Sequence, residues 1–388
     1  MFVTGVIAEF NPLHKGHEYL LKKAAEKGPV ICVISGNFVQ RGETAIAEKR
    51  IRAKAALMCG ADLVLELPVM WSMSTAQNFA LGGVSALGYA GCDRIIFGSE
   101  SGDITELRKA ADILCSEDFS VSLEKKLSQG VTFAAARQYA AEKCGLESGI
   151  LSGANNNLGI EYMVAAKSLG IDIEFETVER LGAAHDSDEE AEFVSASLLR
   201  SKLKSGDDKF IEKYMPENVA GLFKEENISD MERLDRAVLA VLRIKTPEEL
   251  KSIPDISEGI ENKLFNEIRL AGSLDKLYNN IKVKRYTLAR IRRLVLSAFI
   301  GIDNSFFMKP LPYIRVLGFN KTGQELLSGR LRESPVPVIT KTKDINNLDI
   351  ISKKVFETEC KATDLFGLSL EKPLECGIEY TSKIITLE

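Results

Sequence analysis

The sequence predicts an α/β protein, a doubly wound, Rossmann-like parallel sheet followed by a mainly helical C-terminal region. Three observations predict it. Short apolar runs alternate with stretches of helical periodicity through the first half of the chain. Most of these runs stop at Gly, Pro or Asn, the residues that end strands and start turns. From Ser205-Gly206-Asp207-Asp208 to about residue 302 the spacing is helical, with Gly and Pro only at bends. In such sheets ligands bind beyond the carboxyl ends of the strands, so the loops after the first, second and fourth strands matter most.

The elements follow in order. Val3 to Ala8 reads as a buried strand ended by Asn11-Pro12, and helical spacing begins near Leu13 with Leu13, Tyr19, Leu20 and Ala24 available for one face. Val30–Ile34 is a second strand, closed by Ser35-Gly36-Asn37. Ala47–Cys59 is helical, with Ile51, Ala55 and Met58 on one face and Lys49, Arg50, Arg52 and Lys54 nearby. Ala61–Pro68 is a third strand stopped by its proline, Ala76–Tyr89 a small-residue helix, and Asp93–Gly98 a fourth strand. Residues 103–148 are helical and charged, an insertion expected to cover one side. A turn-rich loop, Ser152–Gly159, leads into a helix over 160–169, and Asp172–Val178 alternates like a fifth strand. After a polar stretch, Val194–Leu203 is a Ser-capped helix. The expected boundary separates domains 1–205 and 206–388, and short strands are expected at 316–320, 336–340 and 382–386.

A chain of 388 residues suggests two domains, and 45% hydrophobic with 27% charged residues is ordinary for a globular protein. No apolar run reaches the roughly 18 residues that span a bilayer. The start, Met1-Phe2-Val3-Thr4-Gly5, lacks a basic leader region. The seven cysteines stand singly, as reduced thiols in a cytoplasm would. A cytoplasmic protein is therefore expected, with no membrane and no protein partner implied. With a net charge of −5, nucleic-acid contact needs a local basic patch.

Four clusters bear on chemistry. His14 and His17 are three apart, so they share one side of the first turn, and Gly16 between them lets an anion approach the backbone. A helix start adds its N–H groups and positive dipole end, which makes a cradle for nucleotide phosphates. Metal ligation is not expected, because zinc needs three or four ligands and the only other histidine is His185. Beside this cradle, Ser35, Gly36, Asn37, Gln40 and Arg41 form a wall that could orient substrate or phosphate. Gly98–Gly102 and Asn155–Gly159 are turn compositions that could be structural or could surround adenine and ribose. Lys282, Lys284, Arg285, Arg290, Arg292 and Arg293 form a basic run around Tyr286. Leu288, Ile291, Leu294, Val295 and Ala298 make its buried stripe, so the arginines are expected to project outward, as a solvated face or an RNA contact.

The tetrad His14-Lys15-Gly16-His17 resembles the His-x-Gly-His signature of the nucleotidyltransferase superfamily of adenylyltransferases. The longer string Ala8–His17 resembles that of the bacterial tRNA(Met) cytidine acetate ligases, as do Ser35–Gly42 and the Arg285-Tyr286-Thr287 run. The resemblance implies ATP as substrate, held by Ile7, Ala8, Glu9, Phe10, Asn11, Pro12, Leu13, His14, Lys15, Gly16, His17, Glu18, Tyr19 and Leu20. To these it adds Gly102, Asn155, Asn156, Arg180, Ser195 and Ser197. Val194–Arg200 is similar to the superfamily's second motif, although Val194, Ala196 and Ser197 depart from its Ile-Ser-Ser-Thr pattern; a capped amphipathic helix is the alternative. The implied chemistry is activation of acetate as acetyl-adenylate, then transfer to N4 of the wobble cytidine of elongator tRNA(Met). His14, His17 and Arg200 would be catalytic, Mg²⁺ would bridge phosphates, and Lys282, Lys284, Arg285, Tyr286, Arg290 and Arg293 would contact tRNA. Two alternatives remain: an adenylyltransferase of a coenzyme precursor, of the pantetheine-phosphate or nicotinate-mononucleotide type, and an ATP-sensing RNA-binding protein.

Overall fold

A computed structural model describes residues 2–179, 194–225, 227–257, 259–283 and 286–388. Five parallel strands form the centre: β1 (Thr4–Ala8), β2 (Val30–Ser35), β3 (Leu63–Leu67), β4 (Arg94–Ser99) and β5 (Glu174–Glu179). Their spatial order is β3-β2-β1-β4-β5. The connecting helices include α1 (Lys15–Ala25), α2 (Lys49–Met58), α3 (Ala76–Tyr89) and α4 (Ala154–Leu169). The chain moves to one side of β1 for β2 and β3, then crosses to its other side for β4. The order therefore reverses between β1 and β4, which opens a crevice at their carboxyl ends. Neighbouring residues of each strand serve opposite faces: Ile31 and Val33 belong to one core, Cys32 and Ile34 to the other. Both faces are covered, which explains why the central strands read as unbroken apolar runs.

One expectation changes in detail. The loop expected over Ser152–Gly159 is helical from Ala154, so Asn155–Gly159 form the first turns of α4. Gly159 is needed there because a Cβ would come within 2.1 Å of the Phe97 ring. The insertion after β4 resolves into helices Ile104–Leu114, Glu117–Leu127 and Phe133–Lys143, each started by a side-chain cap from Asp103, Ser116 or Thr132.

The C-terminal third returns to the same sheet. After α5 (Ala196–Ser205) and a run of helices ending in α6 (Leu288–Ile300), β6 (Ile314–Phe319) pairs antiparallel with β3. The short strands β7 (Val338–Ile339) and β8 (Ile385–Thr386) pair parallel with β6, giving a mixed sheet. Helix α7 (Ile350–Gly367) packs against the far side of the β2–α2 connection, as its contacts below show. Among the described residues no helix is long and apolar enough to cross a membrane.

Candidate active site

The site begins where β1 ends. Phe10 has φ +45°, a left-handed conformation rare for an aromatic residue, and the next peptide bond, Asn11–Pro12, is cis. His14 caps α1: its Nδ1 accepts the Gly16 N–H at 3.1 Å, while its carbonyl accepts the amides of His17 and Glu18. With Nδ1 accepting, the neutral ring carries its proton on Nε2. The imidazoles of His14 and His17 stack with centroids 3.8 Å apart, and Phe10 meets His17 edge-on at 5.2 Å. The two rings thus stand together at the N-terminus of α1, at the mouth of the crevice. Ile7, Pro12 and Leu13 are buried; Ala8, Lys15, Tyr19 and Leu20 are half-buried, and Glu18 pairs with Lys22 at 2.7 Å.

The strand ends are held by a residue that sequence reasoning placed only near a helix face. Arg52 of α2 is fully buried. Its Nε donates to the Ala47 carbonyl at 3.0 Å, and its Nη1 to the carbonyls of Glu9 at 2.7 Å and Ser35 at 3.0 Å. Its Nη2 donates to the Gly36 carbonyl. One guanidinium therefore ties the end of β1 to the end of β2. Glu9 turns its carboxylate to the Gln40 amide at 2.9 Å, and burial raises its pKa despite that bond and the nearby Arg200. Asn11 bonds the Ile46 amide through Oδ1 at 2.7 Å and receives Arg200 Nη1 on its carbonyl at 2.9 Å.

The wall after β2 faces inward more than its composition suggests. Ser35 and Asn37 are fully buried. The Asn37 side chain donates to Thr363 at 3.1 Å and accepts the Lys49 amide at 2.8 Å. A short hairpin follows, Phe38–Val39 against Glu43–Thr44, with Gln40 half-buried and Arg41 exposed at its tip. Under Gly36 lies a buried ionic cluster. Lys49 meets Glu66, Glu359 at 3.0 Å and Glu379 at 2.7 Å; Arg315 meets Glu66 at 3.1 Å and Glu379 at 2.5 Å; Arg50 meets Glu379 at 2.9 Å. A Cβ on Gly36 would stand 2.7 Å from Glu359 Oε1, so the loop rests directly on this cluster. Burial and the neighbouring carboxylates push Glu359 up to about 7 against the pull of Lys49. Burial also opposes ionisation of Glu379, but Lys49, Arg315 and Arg50 hold it well below the usual range. Sequence reasoning missed this cluster. The available signal was Glu66, a carboxylate inside the apolar run Leu63–Leu67.

On the other side of the crevice, Glu100 ties the loop after β4 to α4. Its carboxylate accepts the amides of Asn155 at 3.0 Å and Asn156 at 2.7 Å, and the Asn155 side chain at 2.6 Å. Partial burial opposes ionisation, yet these bonds lower its pKa. Asn156 returns the contact, its Oδ1 accepting the amides of Glu100 at 2.9 Å and Ser101 at 3.2 Å. Gly102, at φ +65°, bonds Ser99 Oγ through its amide at 3.0 Å. Ser195 caps α5 through the Leu198 amide at 3.3 Å, and its hydroxyl lies 3.1 Å from that of Ser197. Arg180 and His185 lie outside the described residues.

The basic run is oriented differently from the expectation. Its apolar stripe is buried apart from half-buried Leu288, but Arg290 and Arg293 do not project into water. Arg290 Nη2 donates to the Asp255 carbonyl at 2.9 Å and Ser257 Oγ at 2.6 Å; Arg293 pairs with Asp255 at 3.2 Å and reaches the Gln40 carbonyl at 3.4 Å. Tyr286 is buried, with the Arg290 guanidinium 5.6 Å from its ring. Asp255, thirty-odd residues upstream, is what turns these cations inward. Lys282 is exposed, and Lys284 and Arg285 lie outside the described residues.

Comparison with known proteins finds relatives over the whole chain. A family profile described as HIGH Nucleotidyl Transferase matches residues 1–377. A tRNA(Met) cytidine acetate ligase of Thermoanaerobacter sp. (strain X514) is 37% identical over 405 residues, covering both chains completely. The protein of the same name from Clostridium acetobutylicum is 37% identical over 408 residues, covering 99% of this chain and 100% of its own. Among solved structures, Thermotoga maritima TmcAL bound with alpha-thio ATP superposes with a TM-score of 0.90 at 30% identity, both chains covered in full. Its apo form gives 0.91 at 31%.

Proposed function

Since the chain belongs to the tRNA(Met) cytidine acetate ligase family, we propose that it activates acetate with ATP and transfers the acetyl group to N4 of the wobble cytidine in elongator tRNA(Met). The observation that carries the nucleotide half is the stacked His14–His17 pair at the start of α1, at the carboxyl end of β1. An acetate oxygen attacks the α-phosphorus in line; its bond to the bridging oxygen breaks and pyrophosphate leaves. The cytidine amine then attacks the acetyl carbon, AMP departs and the amine loses a proton, with the base turned out of the anticodon stack. His14 and His17 donate toward charge that grows on the phosphate oxygens in the transition state. Arg200 steadies the leaving pyrophosphate through its planar fork. Arg52 and Glu100 act by position, holding the strand end and the loop that bound the crevice.

Among the described residues no three His, Cys, Asp or Glu side chains gather as a metal cage. The side chains facing the phosphate motif, imidazoles and a guanidinium, suit phosphate oxygens better than a cation. Mg²⁺ would therefore be carried by the nucleotide's own phosphates, as is usual for that ion. The tRNA contact belongs to the 282–293 segment, with Lys282 offering phosphate contact and Arg290 and Arg293 anchoring α6 from within. Incubation with labelled acetate, ATP and bulk tRNA tests the reading. Label in tRNA with release of AMP is expected; adenylyl transfer that ignores acetate, or no reaction, overturns it.

A further inference from the structure

Glu43 joins the phosphate side of the molecule to the helical side. It stands on the second strand of the hairpin, opposite Val39, and is half-buried. Its two carboxylate oxygens face different guanidiniums: Oε1 accepts from Arg292 Nη1, and Oε2 lies 3.8 Å from Arg200 Nη2. Arg200 commits its other terminal nitrogen to the Asn11 carbonyl. The pairing with Arg292 is fixed by backbone. Gly42 has φ +72°, and a Cβ there would come within 2.6 Å of the Arg293 nitrogen and 2.7 Å of Arg292 Cβ, so the hairpin is pressed onto the start of α6. By contrast, 3.8 Å is too long for a hydrogen bond. The link to Arg200 is electrostatic and can be exchanged.

We infer that Glu43 is a positioning residue, the counter-ion of Arg200 until the polyphosphate of ATP replaces it, and that Arg292 sets how strongly Glu43 competes. This rests on Arg200 binding phosphate, as proposed above. A polyphosphate offers the guanidinium two parallel charge-assisted bonds, which the 3.8 Å contact does not. Once displaced, Glu43 stays on Arg292, which neutralises a carboxylate that would otherwise repel the nucleotide. No covalent bond changes; one guanidinium changes partner. Two substitutions should therefore move ATP affinity in opposite directions. Removing the charge of Glu43 gives Arg200 to the phosphates. Removing Arg292 leaves the whole charge of Glu43 on Arg200 and near the nucleotide.

Calorimetric titration of the full chain with Mg-ATP tests this. Glu43→Gln should bind ATP roughly tenfold tighter than wild type, the change expected for about one charged contact. Arg292→Met should bind it several-fold more weakly, Arg292→Lys near wild type, and the double variant Glu43→Gln/Arg292→Met as tightly as Glu43→Gln alone. Equal or weaker binding by Glu43→Gln overturns the inference, as does an Arg292→Met penalty that persists without the Glu43 charge. Should Glu43→Gln not fold, equal affinities of Arg292→Met and Arg292→Lys overturn it independently. Arg200→Ala reports on the underlying reading by itself. If that variant binds ATP like wild type, Arg200 is not a phosphate ligand, whatever Glu43 does.

Discussion

Arg52→Met should uncouple the two strand ends that form the floor of the site. The guanidinium donates four hydrogen bonds to main-chain carbonyls, those of Ala47, Glu9, Ser35 and Gly36. Bonds from a charged donor contribute about 1.5–3 kcal/mol each, so the lower end gives about 6 kcal/mol for the set. Burial offsets part of this by pulling the Arg52 pKa down to about 10, an offset of roughly 3 kcal/mol. The net loss expected for Arg52→Met is about 3 kcal/mol, with Glu9 and Ser35–Gly36 left to drift. Because a misplacement of about 1 Å at reacting groups costs on the order of a hundredfold in rate, acetate-dependent ATP–pyrophosphate exchange should fall by about that factor. Urea unfolding followed by circular dichroism gives the first quantity, and exchange below the unfolding range gives the second. Arg52→Lys, able to reach fewer of the four carbonyls, should lie between. A stable Arg52→Met protein, within about 0.5 kcal/mol of wild type and exchanging normally, would refute the clamp.

Three further outcomes are expected. His17→Ala should keep its circular dichroism spectrum and lose roughly 10²–10³ in acetate-dependent exchange, the usual cost of one transition-state donor; near-normal exchange removes His17 from the chemistry. A carboxyl raised to about 7 by burial, as at Glu359, binds its proton more tightly when folded. Its contribution is full below about pH 4.5 and is lost as pH rises through 7, a swing of roughly 3 kcal/mol. Wild-type stability should therefore fall relative to Glu359→Gln between pH 5 and 8 in urea titrations, and parallel profiles would contradict the assignment. Arg290→Glu combined with Arg293→Glu would crowd carboxylates around Asp255 and break the bond to the Gln40 carbonyl. Pyrophosphate exchange should drop about tenfold along with tRNA acetylation, whereas exchange at the wild-type rate would confine the segment to tRNA binding.

The strands and the pairing of His14 with His17 at a helix start were legible because both are local. An apolar run buried on two faces has no polar alternation to hide it, and His14, Gly16 and His17 fall within one helical turn, so their placement follows from spacing alone. Charge was not legible in the same way. Lys49 and Arg52 look like solvent-facing residues of α2. They are buried because Glu359, 310 residues away from Lys49, and main-chain carbonyls of two other segments, at Glu9 and Ser35–Gly36, supply partners there. That Asn156 closes a reciprocal set of bonds with Glu100 is likewise decided by the fold, and Arg290 and Arg293, expected to project outward, are turned in by Asp255. Apolar periodicity states what avoids water, and it is written residue by residue along the chain. Whether a charge can leave water depends on the partner waiting for it, and only the tertiary structure brings that partner within reach.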